Sequence, residues 1–189
     1  MPFTEKESPT ANIILFRIEG DPGKEYSILI LCDACPDAHE LKLLENFNKL
    51  GRGVTVLCPS KAGTSGSGFS FGDILPLLHS LPGKVFLVSI GGFSPYLIEN
   101  SSQLSNVGKV VFVNPAFRKD ILTKMAGFEI PVLVVTSTPG NLDHDPDAVK
   151  YHDLISGSSI AYVRGIQGNP IYKRFTQSFN SIQRFLLND

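Results

Sequence analysis

The chain has 189 residues, which is enough for one domain that buries a sizeable hydrophobic core. Lys and Arg number 17 and Asp and Glu number 18, so the formal net charge is −1. Because the sequence has neither a basic stripe nor an acidic tail, it argues against nucleic acid or a membrane surface as a partner.

The first ten residues, MPFTEKESPT, are polar and lack the apolar core of a signal peptide. No apolar run approaches the roughly 18–20 residues that span a bilayer. The odd number of cysteines, three, indicates a reducing compartment rather than a disulfide framework. We therefore expect a cytoplasmic protein with one domain over residues 1–189 and a flexible N-terminus over 1–11. The sequence leaves the oligomeric state open.

Short runs rich in Val, Ile and Leu alternate with segments of helical periodicity along the chain. The predicted strands cover residues 12–18, 26–32, 53–58, 85–89, 109–114, 131–137 and 159–165. The predicted helices cover residues 37–50, 73–81, 94–100 and 171–187, with further helical segments between the last three strands. Apolar strands that alternate with helices predict a three-layer α/β/α sandwich around a mainly parallel sheet. Ligands of such sheets bind at the carboxyl ends of the strands, so chemistry is expected in the loops there.

The order of these elements, from about Tyr26 to Leu187, resembles the α/β-hydrolase fold. Residues 85–92 (VFLVSIGG) match the strand and nucleophile elbow of that fold, and residues 130–138 (IPVLVVTST) match the strand that presents the catalytic acid. About 16 residues separate Asn114 from Pro131, where relatives insert a lid. The resemblance therefore implies a small, lidless serine hydrolase that cleaves an ester or a similar acyl bond.

The resemblance puts Ser89 at the position of the nucleophile. An elbow needs small residues two positions before and two positions after the nucleophile, because a strand that turns at once into a helix crowds their Cβ atoms. Gly91 meets this requirement, whereas Leu87 does not. Ser94-Pro95 predicts a helix start five residues after Ser89. Two interpretations remain open: Ser89 is a nucleophile, or it is a serine that ends a buried strand.

The oxyanion hole implied by the resemblance uses the backbone N–H groups of Ile90 and Ala34. Asp33 precedes Ala34 at a position where the family has glycine, which puts a carboxylate beside the developing negative charge. Stabilisation of that charge is often the largest catalytic contribution, so a fixed anion at this position opposes catalysis.

The acid and the histidine of the implied triad have no residue of the right type at their usual positions. The acid position holds Pro139-Gly140-Asn141, and the histidine position holds Gly168 and Asn169. Asp143 and His144 lie in the loop after the strand at 131–137, so they are the candidate substitutes for the acid and the base.

The other charged candidates have structural explanations. Asp145-Pro146 predicts a helix N-cap followed by Pro at the first helical position. His39 and His79 lie on predicted helices, which favours a solvated or core role, and His152 is expected to be exposed on the helix after Pro146.

Three further motifs bear on thiol, metal and phosphate chemistry. Cys32-Asp33-Ala34-Cys35 is a C-x-x-C pattern between a predicted strand and a predicted helix, where a helix N-terminus lowers the pKa of a thiol. The alternative is a pair of reduced, partly buried cysteines. Residues 143–147 (DHDPD) resemble calcium-ligand spacing but lack the glycine and the distant glutamate of that loop, and residues 62–72 lack the lysine of a phosphate-binding loop. We therefore expect neither a metal nor a cofactor.

Three functions follow from these observations. The first is a weak or atypical serine hydrolase in which Ser89 attacks, His144 and Asp143 assist, and Ile90 and Ala34 stabilise the oxyanion. The second is a non-catalytic protein of the same fold that binds a small molecule or a protein partner in the crevice at the strand ends. The third is a thiol or redox role for Cys32 and Cys35. The empty acid and histidine positions favour weak or absent hydrolase activity.

Overall fold

The structure is a computed structural model of the chain that describes residues 3–7, 13–59, 70–138 and 145–187. Its strands are β1 Thr4–Glu7, β2 Ile13–Glu19, β3 Tyr26–Cys32, β4 Gly53–Pro59, β5 Lys84–Ile90, β6 Val107–Val113, β7 Val132–Thr138 and β8 Ser159–Arg164. They form one sheet in the order β1-β2-β4-β3-β5-β6-β7-β8. Neighbours from β4 to β8 are parallel, whereas β2 is antiparallel to β1 and to β4.

The helices of the described residues flank this sheet. They are α1 Ala38–Leu44, α2 Phe71–Ser80, α3 Ser94–Glu99, α4 Leu122–Ala126, α5 Pro146–Leu154, α6 Pro170–Lys173 and α7 Phe175–Leu187. Three 3-10 helices cover Glu45–Leu50, Ser101–Gln103 and Lys119–Ile121. None of the described helices is both long enough and apolar enough to cross a membrane.

Two hydrophobic cores lie on opposite faces of the sheet, because the side chains of a strand alternate between faces. The core on one face takes residues from α2, α3, α4 and α5, including Ile74, Leu97, Met125 and Tyr151. The core on the other face takes residues from α1, the first 3-10 helix, α6 and α7, including Leu44, Phe47, Ile171 and Ile182. The three-layer sandwich predicted from the sequence is therefore confirmed.

The seven predicted strands all form within two residues of their expected ends. Within the N-terminus that the sequence predicts to be flexible, residues 1–11, Thr4–Glu7 forms a strand that pairs with β2. The sequence of this strand, TEKE, has no apolar alternation, so only its pairing with β2 identifies it. The helix predicted at 171–187 is divided in two, because Arg174 leaves the helical conformation between α6 and α7.

The carboxyl ends of three central strands, β3, β5 and β6, meet at one edge of the sheet. Cys32 of β3 pairs in register with Ile90 of β5, and Ile90 pairs with Val113 of β6. The loops that follow these strands therefore lie side by side, where the sequence predicts a ligand crevice.

Candidate functional site at the strand ends

The sharp turn between β5 and α3 is centred on Gly91. This residue has a φ of +80°, and its N–H donates to the Val113 carbonyl at 2.9 Å. Residues with side chains rarely adopt such a φ, and in a nucleophile elbow the nucleophile occupies this strained position. Helix α3 begins at Ser94, five residues after Ser89 as expected. In this chain Gly91 occupies the position of the nucleophile in the turn, and a glycine has no side chain to attack a substrate.

Ser89 lies inside β5, two residues before the turn. It is 0 % exposed, and its Oγ lies 3.5 Å from the Ser94 Oγ beneath α3. This burial agrees with the interpretation of Ser89 as a serine near the end of a buried strand, and its role as a nucleophile stays a prediction. With Ser89 as nucleophile the small-residue rule fails at Leu87. For a turn at Gly91 the rule is met by Ser89 on one side and fails at Phe93 on the other, so it does not choose between the two positions.

Asp33 covers the turn from the neighbouring strand. It follows the last residue of β3, and its Oδ2 accepts a hydrogen bond from the Gly92 N–H at 3.1 Å. A Cβ atom added to Gly91 would overlap the Asp33 carboxylate. The carboxylate therefore fills the space that a side chain at residue 91 requires.

The same contact changes the predicted oxyanion hole. In an elbow one donor is the N–H of the residue after the nucleophile. With the turn at Gly91 that residue is Gly92, whereas Ile90 is the last residue of β5 and is buried. Ile90 as a donor therefore stays a prediction, and the Gly92 N–H donates to the Asp33 carboxylate. Ala34 is exposed beside Asp33, and its role as second donor stays a prediction.

Asn114, directly after β6, joins the end of β7 to the loop that follows β8. Its φ is +45°, and its Oδ1 accepts from the Ser137 N–H at 2.9 Å. The Asn114 Nδ2 donates to the Gly168 carbonyl at 2.9 Å, and the Ser137 Oγ donates to the same carbonyl at 2.7 Å. Gly168, which stands at the predicted histidine position, therefore contributes a carbonyl acceptor that is already hydrogen-bonded.

Asp143 and His144, the predicted substitute acid and base, lie outside the described residues. Asp145 is the N-cap of α5, as predicted: one oxygen accepts from the Asp147 N–H at 3.0 Å and the other from the Thr136 hydroxyl at 2.7 Å. Asn169 has a similar role, because its Oδ1 accepts from the Ile171 N–H at the start of α6.

The remaining histidines lie on helices, as expected. His39 on α1, His79 on α2 and His152 on α5 are all exposed, and the His152 Nδ1 lies 3.1 Å from the Ser158 hydroxyl. This exposure accounts for all three as solvated side chains.

Cys32 is the last residue of β3 and is only 2 % exposed. Its Sγ lies 3.7 Å from the Tyr172 hydroxyl of α6. Burial raises the pKa of the Cys32 thiol from 9.0 to about 12; the Tyr172 hydrogen bond opposes this shift, and the charge of Asp33 adds to it. Helix α1 begins at Ala38, so Cys32 does not lie at a helix N-terminus. The raised pKa of Cys32 opposes a thiolate there, and Cys35 is half-buried. The thiol role of this pair stays a prediction.

The raised pKa of Cys32 predicts a loss of stability at alkaline pH. Above pH 9.0 the unfolded chain releases the thiol proton while the folded chain keeps it until about pH 12, so the free energy of unfolding falls across this window. Between pH 8 and 10 this group contributes a loss of about 1 kcal/mol. Urea denaturation of the wild type and of Cys32→Ala at both pH values measures it. An equal pH dependence in the two proteins would show that Cys32 titrates normally.

Comparisons with known proteins agree with this architecture. No protein-family model matches the chain, and no curated protein matches it significantly. Among solved structures, a predicted CIB-like hydrolase from Thermoplasma acidophilum is 17% identical, with 97% of this chain and 95% of that chain covered and a TM-score of 0.65. A bromoperoxidase from Bacillus anthracis is 11% identical, with coverage of 98% and 100% and a TM-score of 0.72.

A third solved structure carries the name of the fold. It is an α/β-hydrolase enzyme from the metagenome of sediments of the Mar Chica lagoon in Morocco, 14% identical, with 96% of this chain and 98% of that chain covered and a TM-score of 0.65. The sheet order, the strand-to-helix turn at Gly91 and these similarities lead to one conclusion. The chain has the α/β-hydrolase fold.

Proposed function

We propose that this protein is a non-catalytic member of the hydrolase fold that binds a small molecule or a protein partner in the crevice at its strand ends. The observation that carries the proposal is the Asp33 carboxylate, which lies over Gly91 and accepts the Gly92 N–H. A working elbow needs a nucleophilic side chain at the turn and a free N–H beside it. Here the residue at the turn, Gly91, has no side chain, and the Gly92 N–H already donates to the Asp33 carboxylate.

The charge of the crevice supports the same proposal. Acyl transfer develops negative charge on the substrate oxygen, and a carboxylate at this point raises the energy of that transition state. Asp33 is exposed, so its charge is available to a ligand in the crevice. A ligand with a hydrogen-bond donor or a positive charge fits this environment better than an ester at its tetrahedral stage.

A weak serine hydrolase with Ser89 as nucleophile is the alternative. It requires the buried Ser89 hydroxyl to leave its contact with Ser94 and reach the crevice, and it requires a base such as His144. The thiol alternative at Cys32 requires a thiolate, which the raised pKa of this residue disfavours. The non-catalytic proposal needs neither rearrangement.

A fluorophosphonate probe tests the proposal, because it reacts covalently with activated serine hydroxyls. We expect no labelling of the wild type above the level of Ser89→Ala, with a carboxylesterase labelled in parallel to show that the probe is reactive. Ser94→Ala is the matched control, since it removes the neighbouring buried serine. Labelling that Ser89→Ala abolishes and Ser94→Ala retains would replace the proposal with the serine hydrolase.

A further inference from the structure

Strand β8 ends the sheet on the side away from β1, and one of its two edges has no neighbouring strand within the described residues. The Gly165 N–H, directly after β8, donates to the Thr138 carbonyl of β7 at 2.9 Å. Because successive residues of a parallel strand direct their N–H and C=O groups to opposite sides, those of Ile160, Tyr162 and Arg164 point away from β7. The described part of the chain supplies no hydrogen-bond partner for these backbone groups.

This edge lacks the features that keep other strands away. Proteins protect unpaired edges with charged side chains, with proline, or with a helix or loop that covers them. The strand at the other end of the sheet, β1, has the charged sequence TEKE, whereas β8 reads SIAYVR and has no charge or proline before its last residue. Ile160, Ala161 and Tyr162 are only half-buried, so the flanking helices do not cover this edge completely. The free edge of β8 is therefore open to a further strand.

The two faces of β8 restrict how a strand can pair with it. Ile160 packs against the core that contains α5, whereas Ala161 packs against the core that contains α7. Because side chains alternate along a strand, Tyr162 and Arg164 share the α5 face with Ile160. Side chains that lie directly opposite each other in an antiparallel pair share one face of the sheet. A two-fold axis through Ala161 meets this condition, and it puts Ile160 of one copy opposite Tyr162 of a second copy.

The same register brings together two opposite charges, Arg164 and Asp153, which are both exposed and have no ion-pair partner within the described residues. Arg164 comes opposite Ser158 of the second copy, directly before its β8. The Ser158 Oγ donates to the His152 carbonyl at 3.0 Å, which places it at the last turn of α5. Asp153 belongs to that turn. Arg164 therefore meets the Asp153 carboxylate and the negative end of the helix dipole.

Asp153 also lies on the side of α5 that faces β8. Burial raises the pKa of Tyr162, and the negative charges of Asp145 and Asp153 raise it further. Because the interaction of two charges weakens with distance, this effect places Asp153 near the Tyr162 side chain on the edge strand.

We propose that a second copy of this chain pairs with the free edge of β8, antiparallel and about a two-fold axis at Ala161. The two sheets become one, and Ile160 and Tyr162 of opposite copies exchange their backbone hydrogen bonds. The open backbone groups select an extended strand as the partner, and the mutual pairing of Arg164 with Asp153 selects a second copy over a foreign peptide. The crevice lies at the carboxyl ends of β3, β5 and β6, so the dimer does not depend on what the crevice binds.

Sedimentation velocity of the full chain between about 1 and 200 µM tests this proposal. We expect the wild type to change from monomer to dimer as its concentration rises. Arg164→Glu and Asp153→Arg each replace both ion pairs of the dimer with repulsive contacts, so each variant alone should dimerise about tenfold more weakly or less. An equimolar mixture of the two variants should dimerise as the wild type does, because every contact then joins one acidic and one basic side chain.

Lys42→Glu is the matched control, since it reverses an exposed charge on α1, which follows β3 in the other half of the sheet, and it should leave the dimer unchanged. Thermal melting followed by circular dichroism shows whether each variant is folded. If a charge reversal unfolds the chain, Arg164→Ala and Asp153→Ala replace the two variants, and each should weaken the dimer about threefold. A wild type that stays monomeric overturns the proposal and leaves the edge to an extended peptide of another protein. A dimer that the Arg164 and Asp153 variants do not weaken, or reversed variants that stay monomeric when mixed, also overturn it.

Discussion

Replacement of Gly91 by alanine is expected to lower the free energy of unfolding by about 2–3 kcal/mol. One part of this loss is the cost of a side chain at a φ of +80°. The other part arises because the new Cβ overlaps the Asp33 carboxylate, which must rotate away and lose its hydrogen bond to Gly92. Urea denaturation followed by circular dichroism measures the sum.

A double-mutant cycle separates the two contributions. In an Asp33→Gly background the overlap is gone, so the cost of Gly91→Ala should fall by about 1 kcal/mol and leave only the backbone strain. Asp33→Asn is the matched control. Its amide has the shape of the carboxylate and keeps the crowding at Gly91, so the cost of Gly91→Ala should not fall in this background. Additive effects of Gly91→Ala and Asp33→Gly would mean that the carboxylate does not occupy the turn in solution.

Replacement of Phe47 by alanine is expected to cost about 3–5 kcal/mol of unfolding free energy, the range for a buried phenylalanine. Phe47 is 0 % exposed in the 3-10 helix after α1. Its ring packs edge-to-face against Phe179 of α7 with the ring centres 5.1 Å apart. This contact joins the segment that follows β3 to the last helix, so its loss affects the whole layer on that face of the sheet.

Phe47→Leu provides the comparison, since it keeps an apolar side chain of similar size and should cost less than about 1.5 kcal/mol. Both variants are measured by urea denaturation under the same conditions as the wild type. A loss of less than about 1 kcal/mol for Phe47→Ala would contradict the packing described here, because a cavity of that size in a rigid core costs more.

The sequence alone predicted the architecture, because strand and helix patterns are local. Apolar runs and helical periodicity are visible within short windows of the sequence. They predicted seven strands, the parallel sheet and its two helical layers. Cap positions are local as well, and Asp145 and Pro146 start α5 as expected. Strand β1 was missed because its four residues carry no apolar pattern, and pairing with β2 alone identifies it.

The sequence also indicated the difficulty at the candidate site. It identified Asp33 as an acidic residue beside the predicted oxyanion hole, and the Asp33 carboxylate does lie against the turn. The misfit of Leu87 to the elbow pattern counted against Ser89 as a nucleophile. Neither observation was enough to locate the turn at Gly91.

Only the tertiary structure decided which residue takes the strained turn and what covers it. A shift of two residues leaves the strand pattern unchanged, so Ser89 and Gly91 fit the same sequence signal, and only the backbone shows that Gly91 has the positive φ. The contact of Asp33 with Gly92 joins residues 59 positions apart. Likewise, the burial of Cys32 beside Tyr172 depends on strand and helix packing across the chain. Such juxtapositions are set by the register and packing of the whole sheet, which no local pattern contains.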